Sequence, residues 1–287
     1  MFQRILIAVL LMPAIAALVW WGPPALLAAV AAVVTILAVR EFFELGERMG
    51  LRAFRVWTLI CAAGLFYAQY TSGFAEIHML RGGVSLMRTL FSGAVPIEFV
   101  LLAFVFGCAR MGLATRRPLQ EVLPAISISA AGLLFIALPF SYVVRIHEIG
   151  EIGRQLTLFT LLLVWAGDIL AYFTGKSLGH LRMAPALSPK KTWEGSLGNF
   201  VASLLVAACF ARWMEIDTLT LLVIAALANM AGQMGDLIES AYKRGAAVKD
   251  SSALLPGHGG MLDRIDSLIF ACPVVWVLYQ WLIIRNQ

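Results

Sequence analysis

Long apolar runs separated by short polar connections fill almost the whole chain. They cover, approximately, residues 5–20, 25–39, 57–70, 97–111, 124–144, 156–174, 197–214, 218–242 and 262–284. A membrane-crossing helix needs about 20 mostly apolar residues, so the pattern predicts an all-α, polytopic integral membrane protein with about nine transmembrane helices, in a range of about eight to ten. Trp20-Trp21 and Pro23-Pro24 end the first run, and Arg116-Arg117-Pro118 precede the fifth. The first run, with Ala14-Ile15-Ala16 inside it, also has the form of a cleavable signal peptide. The Trp pair suits the interfacial belt of a retained helix, and retention is the expectation. Pro139 is expected to kink its run. Residues 75–95 mix Glu76, His78, Arg81 and Arg88 with Leu and Met, and read as an outer loop or a surface-lying helix.

Composition agrees. With 61% hydrophobic and 14% charged residues among 287, the chain lies far outside soluble composition. The sequence divides into N-terminal transmembrane helices, residues 1–122, and a membrane region, residues 123–287, that carries the chemistry-bearing loops. A net charge of +5 does not call for nucleic acid; how the charge is distributed says more. If successive runs alternate across a bilayer, one side collects Arg4 and the basic residues from Arg40 to Arg55, Arg110 to Arg117, Lys176 to Lys191 and Lys243 to Arg264. Arg81, Arg88, Arg145, Arg154, Arg212 and Arg285 remain for the other side. The positive-inside rule places the richer side, and the N-terminus, in the cytoplasm. Cys61, Cys108, Cys209 and Cys272 stand alone in apolar runs without metal-ligand spacing and read as packing residues. Glu41, Glu44, Glu47, Arg48, Arg52 and Arg55 read as an ordinary solvated connection.

Two features break the apolar pattern in ways that ask for chemistry. Asp168 stands inside an apolar run, and a carboxylate there is a site candidate by default. The connection that follows, residues 175–195, holds Lys176, His180, Arg182, Lys190 and Lys191. The second feature is the longest polar stretch, residues 240–266, with Lys243, Arg244 and Lys249, then a Pro-Gly-His-Gly-Gly turn, then Asp263, Arg264 and Asp266. Asp236, Glu239 and Ser240 fall at i, i+3, i+4 and share one helix face, as do Asp263, Asp266 and Ser267. Carboxylates brought face to face repel unless a cation lies between them. Hard oxygen donors suit Mg²⁺, which bridges to phosphates. The Lys/Arg cluster reads as a phosphate grip, and Gly259 and Gly260 let backbone N–H groups approach an anion. Together these are parts for phosphoryl or nucleotidyl transfer.

The run formed by Ser240, Lys243, Arg244, Lys249, Asp250, Pro256, His258, Gly259, Gly260, Asp263, Arg264 and Asp266 closely resembles the signature of the phosphatidate cytidylyltransferase family. A second segment, Asp168, Ala171-Tyr172-Phe173, Gly175, Gly179 and Ser188-Pro189-Lys190-Lys191-Thr192-Trp193-Glu194-Gly195, is similar to the same family. The resemblance covers roughly the C-terminal half; Asn199 departs from it, standing where a glycine pair is expected after Gly198.

The resemblance implies that CTP and phosphatidate react to CDP-diacylglycerol and pyrophosphate at a site facing the cytoplasm of a bacterial inner membrane. Asp236, Asp263 and Glu239 are the expected ligands of Mg²⁺, alone or with a second cation; Asp168 and Asp266 are next in line. Lys190, Lys191, Lys243, Arg244, Lys249 and Arg264 are expected phosphate contacts, with Ser240, Gly259 and Gly260 lining the substrate. His258 is either a phosphate contact or proton donor, or an ordinary turn residue. The lipid bilayer and a second copy, forming a homodimer, are the expected partners. Two rivals stand beside this reading: a CTP-dependent kinase of a membrane lipid alcohol, and a transporter using Asp168 and Asp236 as a cation route. No inverted repeat favours the transporter.

Overall fold

The computed structural model describes residues 2–80, 95–115, 118–254 and 259–282; side chains are described from residue 10 and, in the first of these segments, as far as residue 72. Among the described residues the helices are α1 (Phe2–Trp21), α2 (Pro24–Arg48), α3 (Arg55–Leu80), α4 (Ile97–Ala114), α5 (Leu119–His147), α6 (Glu151–Ser177), α7 (Trp193–Met214), α8 (Thr218–Gly245) and α9 (Leu262–Leu282). Seven of them, α2 and α4 to α9, are long and apolar enough to cross a membrane. The protein is an all-α polytopic membrane protein, as the apolar pattern predicts. On α4, Phe99, Leu102, Val105 and Phe106 are all more than half exposed, as befits side chains whose solvent is lipid rather than water.

The structure corrects three local expectations. Helix α3 continues to Leu80, so residues 75–80 of the stretch expected as an outer loop or a surface-lying helix prolong α3; Arg81 and Arg88 lie outside the described residues. The connection 175–195 is not plain loop. It contains an antiparallel hairpin, β1 (Arg182–Ala184) with β2 (Ser188–Thr192), and Gly195 already belongs to α7. In α5 the irregularity precedes Pro139: residues Leu133–Ala137 form a π-helical turn and Pro139 opens the next α segment. Proline lacks the N–H that would reach back one turn and clashes with the carbonyl there, and the wider π turn takes up both defects.

Packing divides the chain into two compact units, Met1–Ile149 with Ser251–Leu262, and Gly150–Asp250 with Asp263–Gln287. The first unit has its core where α2, α3 and α5 meet, with Phe43, Leu45, Leu65, Phe66, Leu133 and Ile146 fully buried. Two long-range polar contacts tie it together: Ser129 Oγ accepts the N–H of Phe54 at 2.8 Å, and His147 Nε2 meets the carbonyl of Val19 at 2.9 Å. In the second unit Leu156, Phe159 and Leu163 of α6 are buried, and the Phe159 ring lies 5.6 Å from that of Phe210 on α7. Helix α8 meets α9 closely at Gly235, where a Cβ would strike the carbonyl of Asp266. That approach brings the carboxylates of the two helices together.

Candidate active site

The second unit builds its site from the hairpin and from helices α6 to α9. Thr192 caps α7, its Oγ1 accepting the N–H of Gly195 at 3.1 Å. Glu194, in the first turn, accepts the N–H groups of His180 and Leu181, each at 3.1 Å. Arg244, at the end of α8, donates from Nε to the carbonyl of Leu187 at 2.9 Å and from Nη1 to that of Val248 at 3.1 Å. The hairpin is thus held at both ends, and the strand carrying Lys190 and Lys191 has a fixed place.

Beside it lies a cavity of about 250 Å³. Helix α6 contributes Asp168 and Tyr172, β2 contributes Lys190 and Lys191, and α8 contributes Gln233 and Asp236. Basic and acidic side chains therefore converge on one space, as a site for an anionic substrate and its counter-cation requires. Lys191 forms an ion pair with Asp236.

A ladder of amides and hydroxyls stands behind the cavity. Ser196 Oγ donates to Gln233 Oε1, Gln233 Nε2 donates to Asn229 Oδ1 at 2.6 Å, and Asn229 Nδ2 donates to Asn199 Oδ1 and Ser203 Oγ. Asn199 Nδ2 completes it by donating to Asp168 Oδ1 at 3.4 Å. Within a bilayer there is no water to satisfy such groups, so they satisfy one another and fix the helices that carry them. Asn199, the departure from the resembled pattern, is the residue that reaches Asp168. The sequence signal for the ladder was the presence of Asn229 and Gln233 in an otherwise apolar run.

Deeper in the unit, carboxylate oxygens of Asp236, Glu239 and Asp266 all lie within 4.8 Å of one another. Lys243 Nζ sits 2.6 Å from Glu239 Oε2 and 2.6 Å from Asp263 Oδ1. Lys243 is thus shared between the two carboxylates. Three hard oxygen donors gathered this closely fit a small divalent cation such as Mg²⁺.

The candidates picked out from the sequence thus separate. Asp168, Lys190, Lys191 and Asp236 share the cavity; Asp236, Glu239 and Asp266 form the carboxylate cluster; Asp263 sits against Lys243. Ser240 is buried one residue beyond Glu239, while Arg264 and Lys249 are exposed. Gly259 and Gly260 lie in the loop before α9, Gly259 at φ +77°. His258 lies outside the described residues.

A helical membrane protein in which lysines and carboxylates line one cavity has parts that suit group transfer between phosphates. A family profile described as "Cytidylyltransferase family" matches residues 2–282; the chain belongs to that family and is a nucleotidyltransferase. It is 40% identical over 147 residues to the phosphatidate cytidylyltransferase of Bacillus subtilis, covering 50% of this chain and 55% of that protein. It is 32% identical over 288 residues to the phosphatidate cytidylyltransferase of Haemophilus influenzae, covering 96% and 98%. To that of Thermotoga maritima it is 33% identical over 193 residues, covering 64% and 70%. The match therefore spans about half the length of the Bacillus protein and nearly all of the Haemophilus one.

Proposed function

We propose that this protein is a phosphatidate cytidylyltransferase, joining CTP and phosphatidate to give CDP-diacylglycerol and pyrophosphate. The observation that carries the reading is the convergence of Lys190, Lys191, Asp168 and Asp236 on one cavity, with Asp236 shared by the carboxylate cluster. The names of the relatives and the resemblance of residues 240–266 give it its substrate.

The chemistry asks little of a nucleophilic side chain. A phosphomonoester has its second pKa near ~6, so a phosphate oxygen of the lipid is already anionic at neutral pH. That oxygen attacks the α-phosphorus of CTP, the bond from the α-phosphorus to the bridging oxygen of the β-phosphate breaks, and pyrophosphate departs with that oxygen. The obstacle is charge, since both reactants are anions. Lys190 and Lys191 hold the phosphates and offset their repulsion, and the hairpin that carries them keeps them oriented. Asp236, Glu239 and Asp266 are the residues that would hold Mg²⁺, and a bound cation there would supply positive charge against that of the phosphates. Lys243 keeps Glu239 and Asp263 from repelling each other and so preserves the cluster's shape. The distribution of basic residues supports a site that faces the cytoplasm from a bacterial inner membrane. The homodimer expected from the sequence belongs to the same reading, and its mass in nanodiscs checks it.

Purified protein given phosphatidate, Mg²⁺ and CTP labelled at the α-phosphate transfers the label to lipid and releases unlabelled pyrophosphate. Lipid labelled only from γ-labelled CTP would make the protein a lipid kinase instead, and ion flux without CTP would make it a transporter.

A further inference from the structure

Glu41 reads from the sequence as part of a solvated connection. The structure buries it, 4% exposed, on α2 between Ala38 and Leu45, both also buried. Among the described residues its carboxylate receives four hydrogen bonds, from both ends of the stretch Ser251–Leu262 in the same packing unit. Oε2 accepts from Ser251 Oγ at 2.8 Å and from the N–H of Leu262 at 2.8 Å. Oε1 accepts from Ser252 Oγ at 2.6 Å and from the N–H of Met261 at 2.9 Å.

Four donors match the acceptor sites of one carboxylate, and they come in pairs from opposite ends of the loop. One side chain therefore closes the loop at its base. It also serves the N–H of Leu262, the first of α9 and out of reach of any carbonyl of that helix, and its negative charge favours a helix N-terminus. Gly260 fits against this junction because a Cβ there would collide with Ser251 Oγ and the Glu41 carboxylate.

We propose that Glu41 is a positioning residue for the cation-binding end of α9. Leu262 begins the helix, Asp263 follows it directly, and Asp266 stands about one turn further. Holding the N–H of Leu262 fixes where the helix starts, and Asp263 and Asp266 follow at set positions along it. The functional half of this inference rests on the proposed cytidylyl transfer; the structural half does not.

The test compares full-length wild-type, Glu41→Gln and Gly260→Ala proteins in nanodiscs by two readouts. Glu41→Gln replaces half of the acceptor with an NH₂ that opposes two donors, and Gly260→Ala disturbs the same junction from the loop side. Amide exchange across Ser251–Leu262 is expected to speed up at least about tenfold in both variants, with other helices unchanged. The Mg²⁺ concentration for half-maximal CDP-lipid formation is expected to rise about 10- to 100-fold, the range seen when groups supporting metal ligands are removed. Loss of folded protein alone lowers yield and leaves the Mg²⁺ requirement per active molecule unchanged. Should Glu41→Gln fail to fold, the double variant Ser251→Ala/Ser252→Ala removes the two hydroxyl donors and carries the same expectations. Folded variants with wild-type exchange in this loop, or with a wild-type Mg²⁺ requirement, overturn the proposal. If the wild type itself makes no CDP-lipid, the functional reading fails, and the exchange comparison still decides whether Glu41 closes the loop.

Discussion

Glu41 and Glu239 are both buried glutamates on membrane helices, 4% and 3% exposed, yet their surroundings differ in kind. Glu41 is surrounded by hydroxyl and backbone donors that come to it from a loop, and every acceptor site is used. Glu239 has other carboxylates for neighbours and one lysine, which it shares with Asp263. A buried carboxylate satisfied by neutral donors organises structure, since its hydrogen bonds are spent on the protein. One left among its own kind keeps its acceptor capacity for a cation. The two glutamates teach that burial alone does not identify a functional acid; the identity of its donors does.

The sharpest way to break this contrast is to remove the lysine from the second group. Lys243→Met leaves Glu239 and Asp263 buried without their partner, and stripping one member from a buried pair costs about 3–5 kcal/mol. Reversible unfolding in mixed micelles should show that loss, and added Mg²⁺ should recover part of it, because a cation at the cluster replaces the missing charge. Next in size are Asp236→Asn and Asp266→Asn. Each preserves shape and removes a charge from the cluster, and CDP-lipid formation at fixed Mg²⁺ should fall about 10²- to 10³-fold with the fold intact. Asp263→Asn should do less, about tenfold, because that carboxylate faces Lys243 and an amide oxygen still accepts from it. Equal losses for Asp263→Asn and Asp266→Asn would erase the distinction drawn between them. The smallest effect belongs to Asn199→Ala, which frees Asp168 from its donor; kcat/KM should fall about 3- to 10-fold, corresponding to the loss of about 1 kcal/mol of hydrogen bonding.

Much of this was legible in residue order. The apolar pattern announced a helical membrane protein, and the spacing of Asp236 with Glu239 put both on one helix face. The same spacing offered Asp263 and Asp266 equally, and it is the position of Lys243, one turn beyond Glu239, that draws Asp263 to itself and leaves Asp266 to the cluster. The hairpin went unseen because Arg182–Ala184 and Ser188–Thr192 are short, charged and interrupted by Pro189, with no apolar alternation to signal a strand. Glu41 was illegible for a different reason: its partners stand 210 to 221 positions away, and nothing local distinguishes it from Glu44 or Glu47.

The claim at the centre is that Asp236, Glu239 and Asp266 hold the divalent cation. Titrating Mn²⁺ into the purified protein and following free Mn²⁺ by electron paramagnetic resonance tests it without substrate. The account predicts a saturable site whose affinity falls at least about tenfold in Asp266→Asn and stays within about threefold of wild type in Asp263→Asn. The reverse order, with Asp263→Asn losing the ion and Asp266→Asn keeping it, would contradict it.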